Sequence, residues 1–197
     1  MSFFERYKQY ARGKLRVWGS WLALFVLAFY IDQNPSIDGI LLIATGAFIR
    51  FYASGYIDKE GKLSTKGIYA LTRNPLYLGS FLIALGAAVS QHNAVLILLF
   101  CLLNFAIYYP LILAEEDILK EKFHGPYEIY KKIVPRFFPW TLGIKKLPTN
   151  FLESDPRLNK TNFSWEKIKE NKGYEGFATA AGVIFFIYTV IYIKKFL

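Results

Sequence analysis

In a chain this apolar, polar and charged side chains inside the apolar stretches are costly, so their placement is the first guide to chemistry. Gly46, Arg50 and Ser54 recur every four residues and so share one helical face. Arg50 lies eight residues before Asp58, about 12 Å along a helix rising 1.5 Å per residue. At that depth it is either a partly snorkelled arginine on a helix carbonyl or a cation in the wall of a polar pocket. Asn104, Tyr108, Leu111 and Glu115 follow the i, i+4, i+7, i+11 pattern and form a stripe ending in a carboxylate. Glu116 follows directly. Adjacent acids at a membrane surface most often continue a helix into solvent, with Glu116 paired to Lys120, and a functional pair is the alternative. Arg50, Glu115 and Glu116 are thus the candidates for catalysis, and Arg50, Asn104, Tyr108 and Leu111 for holding a substrate.

A third constellation is the run Arg73-Asn74-Pro75-Leu76-Tyr77-Leu78-Gly79. Asn74 suits an N-cap and Pro75 the first helical position, so a plain helix start accounts for both. The same start leaves backbone N–H groups and a positive dipole end facing outward, which suits a carboxylate or phosphate.

Four apolar stretches must position these groups: Val17 to Ile31, Ile37 to Ile57, Leu76 to Leu113 and Gly176 to Ile193. A spanning helix needs about 20 apolar residues. The third stretch has 38, enough for two spans, and Gln91-His92-Asn93 interrupts it where a hairpin turn would fall. The expectation is an all-α membrane bundle of five transmembrane helices, with a cytosolic segment closing a pocket. The first stretch follows basic residues, as a cleaved leader does, but no small-x-small site follows it, so it reads as a retained anchor with Arg16 and Trp18 at the interface. Residues 1–16 carry five Lys and Arg, 58–74 carry four and 115–175 carry twelve, whereas 32–36 and 91–93 carry none. That asymmetry places the N-terminus and both long loops in the cytoplasm, against the mild objection of Lys194 and Lys195 outside. The third and fourth spans then bring Asn74 and Glu115 to one cytoplasmic face. The segment Phe151 to Tyr174 is basic with spaced aromatics and reads either as lying on the anionic leaflet or as a solvated connector.

Composition excludes several classes. Of 197 residues 54% are hydrophobic, 18% aromatic and only 20% charged, and the mean hydropathy is +0.25. That is too apolar for a soluble domain of this size and too aromatic for disorder. One cysteine, Cys101, allows no disulfide within this chain, and with His92 and His124 the only histidines no metal centre is expected. A net charge of +9 reads as membrane sidedness rather than nucleic-acid binding. One domain, residues 1–197, fits the length, with a catalytic core over about 60–140 and a connector and last span over 141–197.

Gly67-Ile68-Tyr69, the Arg73–Gly79 run, Glu115-Glu116, then Phe123, Gly125, Tyr127, Tyr130, Val134-Pro135-Arg136 and Pro139 together resemble the isoprenylcysteine carboxyl methyltransferase family, which belongs with the phospholipid N-methyltransferases. The resemblance implies an integral-membrane enzyme using S-adenosylmethionine. It implies that the cofactor is held by the 63–69 segment (Leu63, Ser64 and Tyr69), by Arg73, Asn74, Pro75 and Tyr77, and by Glu115. It also implies a lipid or lipidated small acceptor, methylated on a carboxylate or on a headgroup amine. Isoprenylcysteine enzymes usually carry histidine at the position of Asn74, whereas phospholipid methyltransferases commonly carry Asn-Pro-x-Tyr. Eukaryotic isoprenylcysteine enzymes also carry a substrate-contacting arginine where this chain has Leu111, and Arg50 is the candidate to supply that cation. Two alternatives stay open: a membrane sterol or steroid reductase using NADPH, which shares a similar pattern, and a non-catalytic membrane scaffold.

Overall fold

A computed structural model describes residues 16–58, 62–140, 158–159 and 163–197. The helices are α1 (Arg16–Tyr30), α2 (Ile37–Ser54), α3 (Pro75–Val89), α4 (Ala94–Phe123), α5 (Gly125–Ile133), α6 (Trp165–Glu170) and α7 (Glu175–Lys194). A 3-10 turn at Gly67–Ala70 precedes α3. Among the described residues the one strand pairing is a two-residue parallel one, of β1 (Leu63–Ser64) with β2 (Leu158–Asn159).

The expected apolar segments are all helical. Three of them, α2, α4 and α7, are long and apolar enough to cross a membrane, while α3 and the apolar part of α1 are shorter. At 15 residues, α3 extends only about 22 Å against a hydrocarbon core of about 30 Å, so five crossings are not established by length. The hairpin falls where the polar triplet predicts it. His92 takes a positive φ of 48°, and the Asn93 side chain caps α4 by accepting from the Leu96 N–H at 3.1 Å. At its far end α4 continues past the apolar stretch and both acids, as the helix-continuation reading expects, and runs on to Phe123.

At one end of the bundle the short connections interlock. Ser36 N–H donates to Ser90 O at 3.2 Å, and Lys194 Nζ donates to Ile31 O at 2.6 Å and to Phe29 O at 3.2 Å. Lys194 therefore closes the last carbonyls of α1, a favoured place for a cation at the negative end of a helix dipole. The cluster Leu27, Ile31, Ala87, Ala88, Leu96, Phe100 and Ile187 seals this end. At the opposite end, Asn171 Nδ2 donates to Ser54 O and Ile57 O, both at 3.0 Å, joining the α6–α7 connection to the end of α2.

Helices α2 and α3 touch backbone to backbone. A Cβ at Gly46 would stand 2.5 Å from Gly79 O, and one at Gly79 would stand 2.6 Å from Gly46 O. Seven residues along each helix, Gly39 and Gly86 repeat the relation at 2.7 and 2.6 Å. Small residues let apolar helices approach closely enough for dispersion and Cα–H···O contacts to hold them where no hydrophobic effect separates helix from lipid. Substituting Gly46→Leu is therefore expected to destabilise the fold by at least the ~1–3 kcal/mol of an overpacked core. Gly182→Ala, whose Cβ meets nothing within 4 Å, is the neutral control. Thermal unfolding of both variants in detergent checks the pair: equal melting temperatures would refute the contact.

Candidate functional site

The chain from Lys62 to Asn74 is held as a cap against α4 and α5. Leu63 packs with Phe123, Tyr127, Tyr130, Val134 and Leu158 in a second buried cluster. Tyr130 Oη donates to Tyr69 O at 2.6 Å, and Ser64 Oγ donates to Tyr56 O at 2.6 Å. Gly67 takes φ +59°, and a Cβ there would run into the Tyr56 ring, so the turn requires glycine.

Below the cap a chamber of about 890 Å³ runs between α1, α2, α3, α4 and α7. That is within the usual range for ligand sites, near its upper end. Its polar end is lined by Ser64, Tyr69, Arg73, Asn74, Tyr77 and Glu115, and Leu63 and Pro75 complete that wall. Its middle has Arg50, Ser80, Asn104 and Tyr108, and its depth has Leu27, Ala87, Phe100 and Leu103. Tyr77 Oη donates to Glu115 Oε1 at 2.6 Å, and the Tyr77 and Tyr108 rings lie 5.5 Å apart. Residues 74–77 and Glu115, about forty positions apart, thus meet at one end of the bundle, as the span order predicts.

Two predicted residues lie elsewhere. Leu111 is buried at 5% exposure and is not part of the chamber wall. Asn104, Tyr108 and Glu115 of the same stripe do line the wall, on one continuous helix that contains Pro110. Glu116 is likewise outside the wall, and it does not pair with Lys120, which reaches Glu128 at 3.6 Å. Instead the Glu116 side chain, 7% exposed, holds two arginines. Arg136 Nε donates at 3.1 Å to each carboxylate oxygen and Nη2 donates at 3.0 Å to Oε2, while Arg73 Nη1 stands 3.1 Å from Oε1.

That cluster fixes the start of α3. Arg136 O accepts from Asn74 Nδ2 at 2.9 Å, and Arg73 N–H donates to Pro135 O at 2.9 Å. Asn74 occupies the N-cap position, yet its side chain makes no capping bond. The Asn74 side chain therefore does not cap α3, whose first residues, Pro75 to Tyr77, line the chamber's polar end. The role of Arg136 had no sequence signal, being 20 residues from Glu116. Gly19, Ala23 and Leu27 on α1, which also line the chamber, could have been found by their four-residue spacing.

The family model for phospholipid methyltransferases matches residues 18–125, more than half of the chain. The chain belongs to that family. It is 40% identical over 82 residues to the protein-S-isoprenylcysteine O-methyltransferase of Schizosaccharomyces pombe, covering 42% of this chain and 35% of that protein. It is 31% identical over 105 residues to the nickel-cobalt-cadmium resistance protein NccN of Alcaligenes xylosoxydans xylosoxydans, covering 51% and 48%. It is 28% identical over 149 residues to the cobalt-zinc-cadmium resistance protein CzcN of Cupriavidus metallidurans, covering 69% and 64%. The chain therefore spans between about a third and two thirds of the length of these relatives. No solved structure matches. Among the described residues no group of three His, Cys, Asp or Glu side chains is placed to hold a metal ion.

In this phospholipid methyltransferase family member, burial and then the nearby Glu116 charge push the Tyr127 phenol up to about 12. Burial likewise raises Tyr69 and Tyr130, and hydrogen bonding to Glu116 raises Arg136. For Tyr127 the folded pKa exceeds the unfolded value near 10, so its neutral form stabilises the fold below pH 10 and that contribution is lost as pH rises toward 12. Stability measured by denaturant titration should fall across pH 10–12, and Tyr127→Phe should flatten that fall. Removing one partner of a buried ion pair typically costs ~3–5 kcal/mol, so Glu116→Ala should lower the melting temperature by many degrees at pH 7. An unchanged midpoint would refute the clamp.

Proposed function

We propose that this chain is an S-adenosylmethionine-dependent methyltransferase acting on a lipid or lipidated small acceptor at the cytoplasmic face of a membrane. The observation that carries the reading is one chamber with a polar, hydrogen-bonding end at Asn74, Tyr77 and Glu115 and an apolar depth at Leu27, Ala87 and Phe100. A polar cofactor and a fatty acceptor would need both halves in one enclosure. Family membership supports methyl transfer over the reductase and scaffold readings.

The donor set fits the cofactor. N–H groups at the start of α3, uncapped by Asn74, suit its carboxylate, and Glu115 suits its ammonium or hydroxyl groups. The Tyr69 and Tyr77 rings border the same end and offer faces to a cation. When bound, the cofactor supplies an electrophilic methyl group on a sulfonium. The chain's own task is to align the acceptor within about 3–3.5 Å, hold it there and exclude water. A carboxylate acceptor needs no base. An amine acceptor must lose a proton, and Glu115 is the carboxylate on the chamber wall beside Tyr77 that can accept it. Glu116, engaged by two arginines, serves in this reading to position Asn74 rather than to move protons.

Thermal shift of the purified protein with S-adenosylmethionine, its demethylated product and NADPH tests the cofactor. Saturation at 100-fold above Kd would stabilise by ~2.7 kcal/mol, a shift of several degrees, with either sulfur nucleoside. Glu115→Ala should weaken that binding at least tenfold. Stabilisation by NADPH alone would overturn the reading. Sidedness has its own test, in a Cys101→Ser background labelled on intact cells by a membrane-impermeant thiol reagent. Asn34→Cys, in an exposed connection, should react and the exposed Glu121→Cys should not. The reverse pattern would place the site on the other face.

A further inference from the structure

Outside the chamber, the chain that leaves α5 folds back along the bundle. Its first residues hold the start of α3, Pro135 O accepting from the Arg73 N–H and Arg136 O from Asn74 Nδ2, both at 2.9 Å. The next two pack on α3 itself. The Phe137 and Phe138 rings meet the Phe81 ring edge-on, with centres 5.7 and 6.0 Å away, and Phe81 lies six residues, about 9 Å, inside the start of that helix. Phe81 is not on the chamber wall. Arg136 makes the matching contact on α4: Nη1 donates to Tyr109 Oη at 3.2 Å, and the guanidinium lies 5.6 Å from the centre of that ring.

The segment adjoins a side of α4 that the bundle leaves bare. Phe105, Leu102 and Leu98 precede Tyr109 by four, seven and eleven residues and so share its side of the helix. They are 64%, 58% and 60% exposed, and the Phe105 ring stacks on Tyr109. Since α4 is long and apolar enough to span, lipid is the natural cover for that side. Phe138 and Trp140 extend the apolar surface beyond Tyr109, with rings 5.3 Å apart and 40% and 72% exposed. Exposed aromatic rings at a helix-bundle end suit the boundary between acyl chains and headgroups.

Charge says which headgroups. Lys131 and Lys132 close α5 and are exposed, and among the described residues neither has an ion-pair partner. The neighbouring acids are engaged elsewhere, Glu128 by Lys120 and Glu116 by Arg73 and Arg136. Two uncompensated cations on the same stretch as exposed rings match a negative headgroup over an acyl chain.

We propose that Lys131, Lys132, Phe138 and Trp140 dock the cap onto acidic phospholipid, the lysines on headgroup phosphates and the rings among the upper acyl carbons, and that this docking steadies the start of α3 through Pro135 and Arg136. The lipid is a partner outside the chamber, so the surface works whatever the chamber binds.

A chain whose single tryptophan is Trp140, made by Trp18→Phe, Trp21→Phe and Trp165→Phe, tests this in nanodiscs of equal parts phosphatidylcholine and phosphatidylglycerol, with acyl-chain bromine on one lipid or the other. Brominated phosphatidylglycerol should quench Trp140 at least about twice as strongly as brominated phosphatidylcholine. Lys131→Gln with Lys132→Gln should bring the ratio to one while both lipids still quench. The Arg73 amide should exchange with deuterium at least about twofold slower in these discs than in phosphatidylcholine alone, and the double-lysine variant should lose the difference. If the single-tryptophan chain fails to fold, the difference between the unsubstituted chain and Trp140→Phe yields the same quenching ratio. Equal quenching by the two lipids with both lysines present would overturn the proposal, as would a preference that survives their removal. Quenching by acrylamide instead of lipid would leave the surface in water, and protection from both would assign it to a second copy or another protein; either result overturns it. Equal exchange of the Arg73 amide in the two kinds of disc would overturn the tie to α3.

Discussion

Everything in the site depends on how closely α2 and α3 approach. Two apolar helices in an apolar solvent gain little from hiding from it, so their association rests on dispersion and on short backbone contacts. Gly39 and Gly46 on α2 face Gly86 and Gly79 on α3, with each backbone lying where the other's Cβ would be. The same contact delivers chemistry. With the helices this near, Arg50 reaches across to Ser80 and Leu76, and Gly79 vacates the room its stem occupies. A larger residue at 79 would displace the helix and the cation together.

A second constraint acts above the bundle. Glu116 holds Arg73 and Arg136, and through the backbone of Arg136 it governs the Asn74 side chain. Buried ion pairs often add little net stability because desolvation offsets the attraction, but they do fix one arrangement among several. Here the arrangement is consequential: Asn74 is turned onto Arg136 O instead of capping α3, at the polar end of the chamber. Tyr130 performs the matching task on the other side of the cap by tying Tyr69 O to α5.

Much of this was legible in the residues because apolar length and local breakers leave few choices. Val17–Ile31, Ile37–Ile57 and Gly176–Ile193 could only be helices in a chain this hydrophobic, and Gln91-His92-Asn93 could only be a turn. The meeting of Tyr77 with Glu115 followed from counting spans. Contacts set by tertiary geometry were not legible. Nothing in spacing joins Glu116 to Arg136, and the adjacent acids look alike until one is seen on the chamber wall and the other under the cap. Leu111, on the same predicted stripe as Asn104, Tyr108 and Glu115, is buried away from the chamber wall. The repeated seven-residue glycine interval in α2 and α3 was present in the sequence, and its meaning emerges only once the two helices are known to pack antiparallel.

The chamber's two-part character follows from unequal helices. Helix α3 begins at Pro75, beside Glu115, whereas α4 continues eight residues beyond that glutamate to Phe123, about 12 Å further. Where α3 is missing, α4 needs another partner, and the cap of Leu63, Tyr127 and Tyr130 supplies it with polar backbone and phenols in place of a lipid-facing helix. Where α3 is present, its small residues Ala84 and Ala87 face Leu27 and Phe100 and leave an apolar hollow. The boundary between these regimes is the first turn of α3. The Asn74 side chain, the Tyr77–Glu115 bond and the Arg50 guanidinium all gather within two helical turns of it. A helix shorter than its neighbours thus creates the junction between the polar and the apolar part of the chamber.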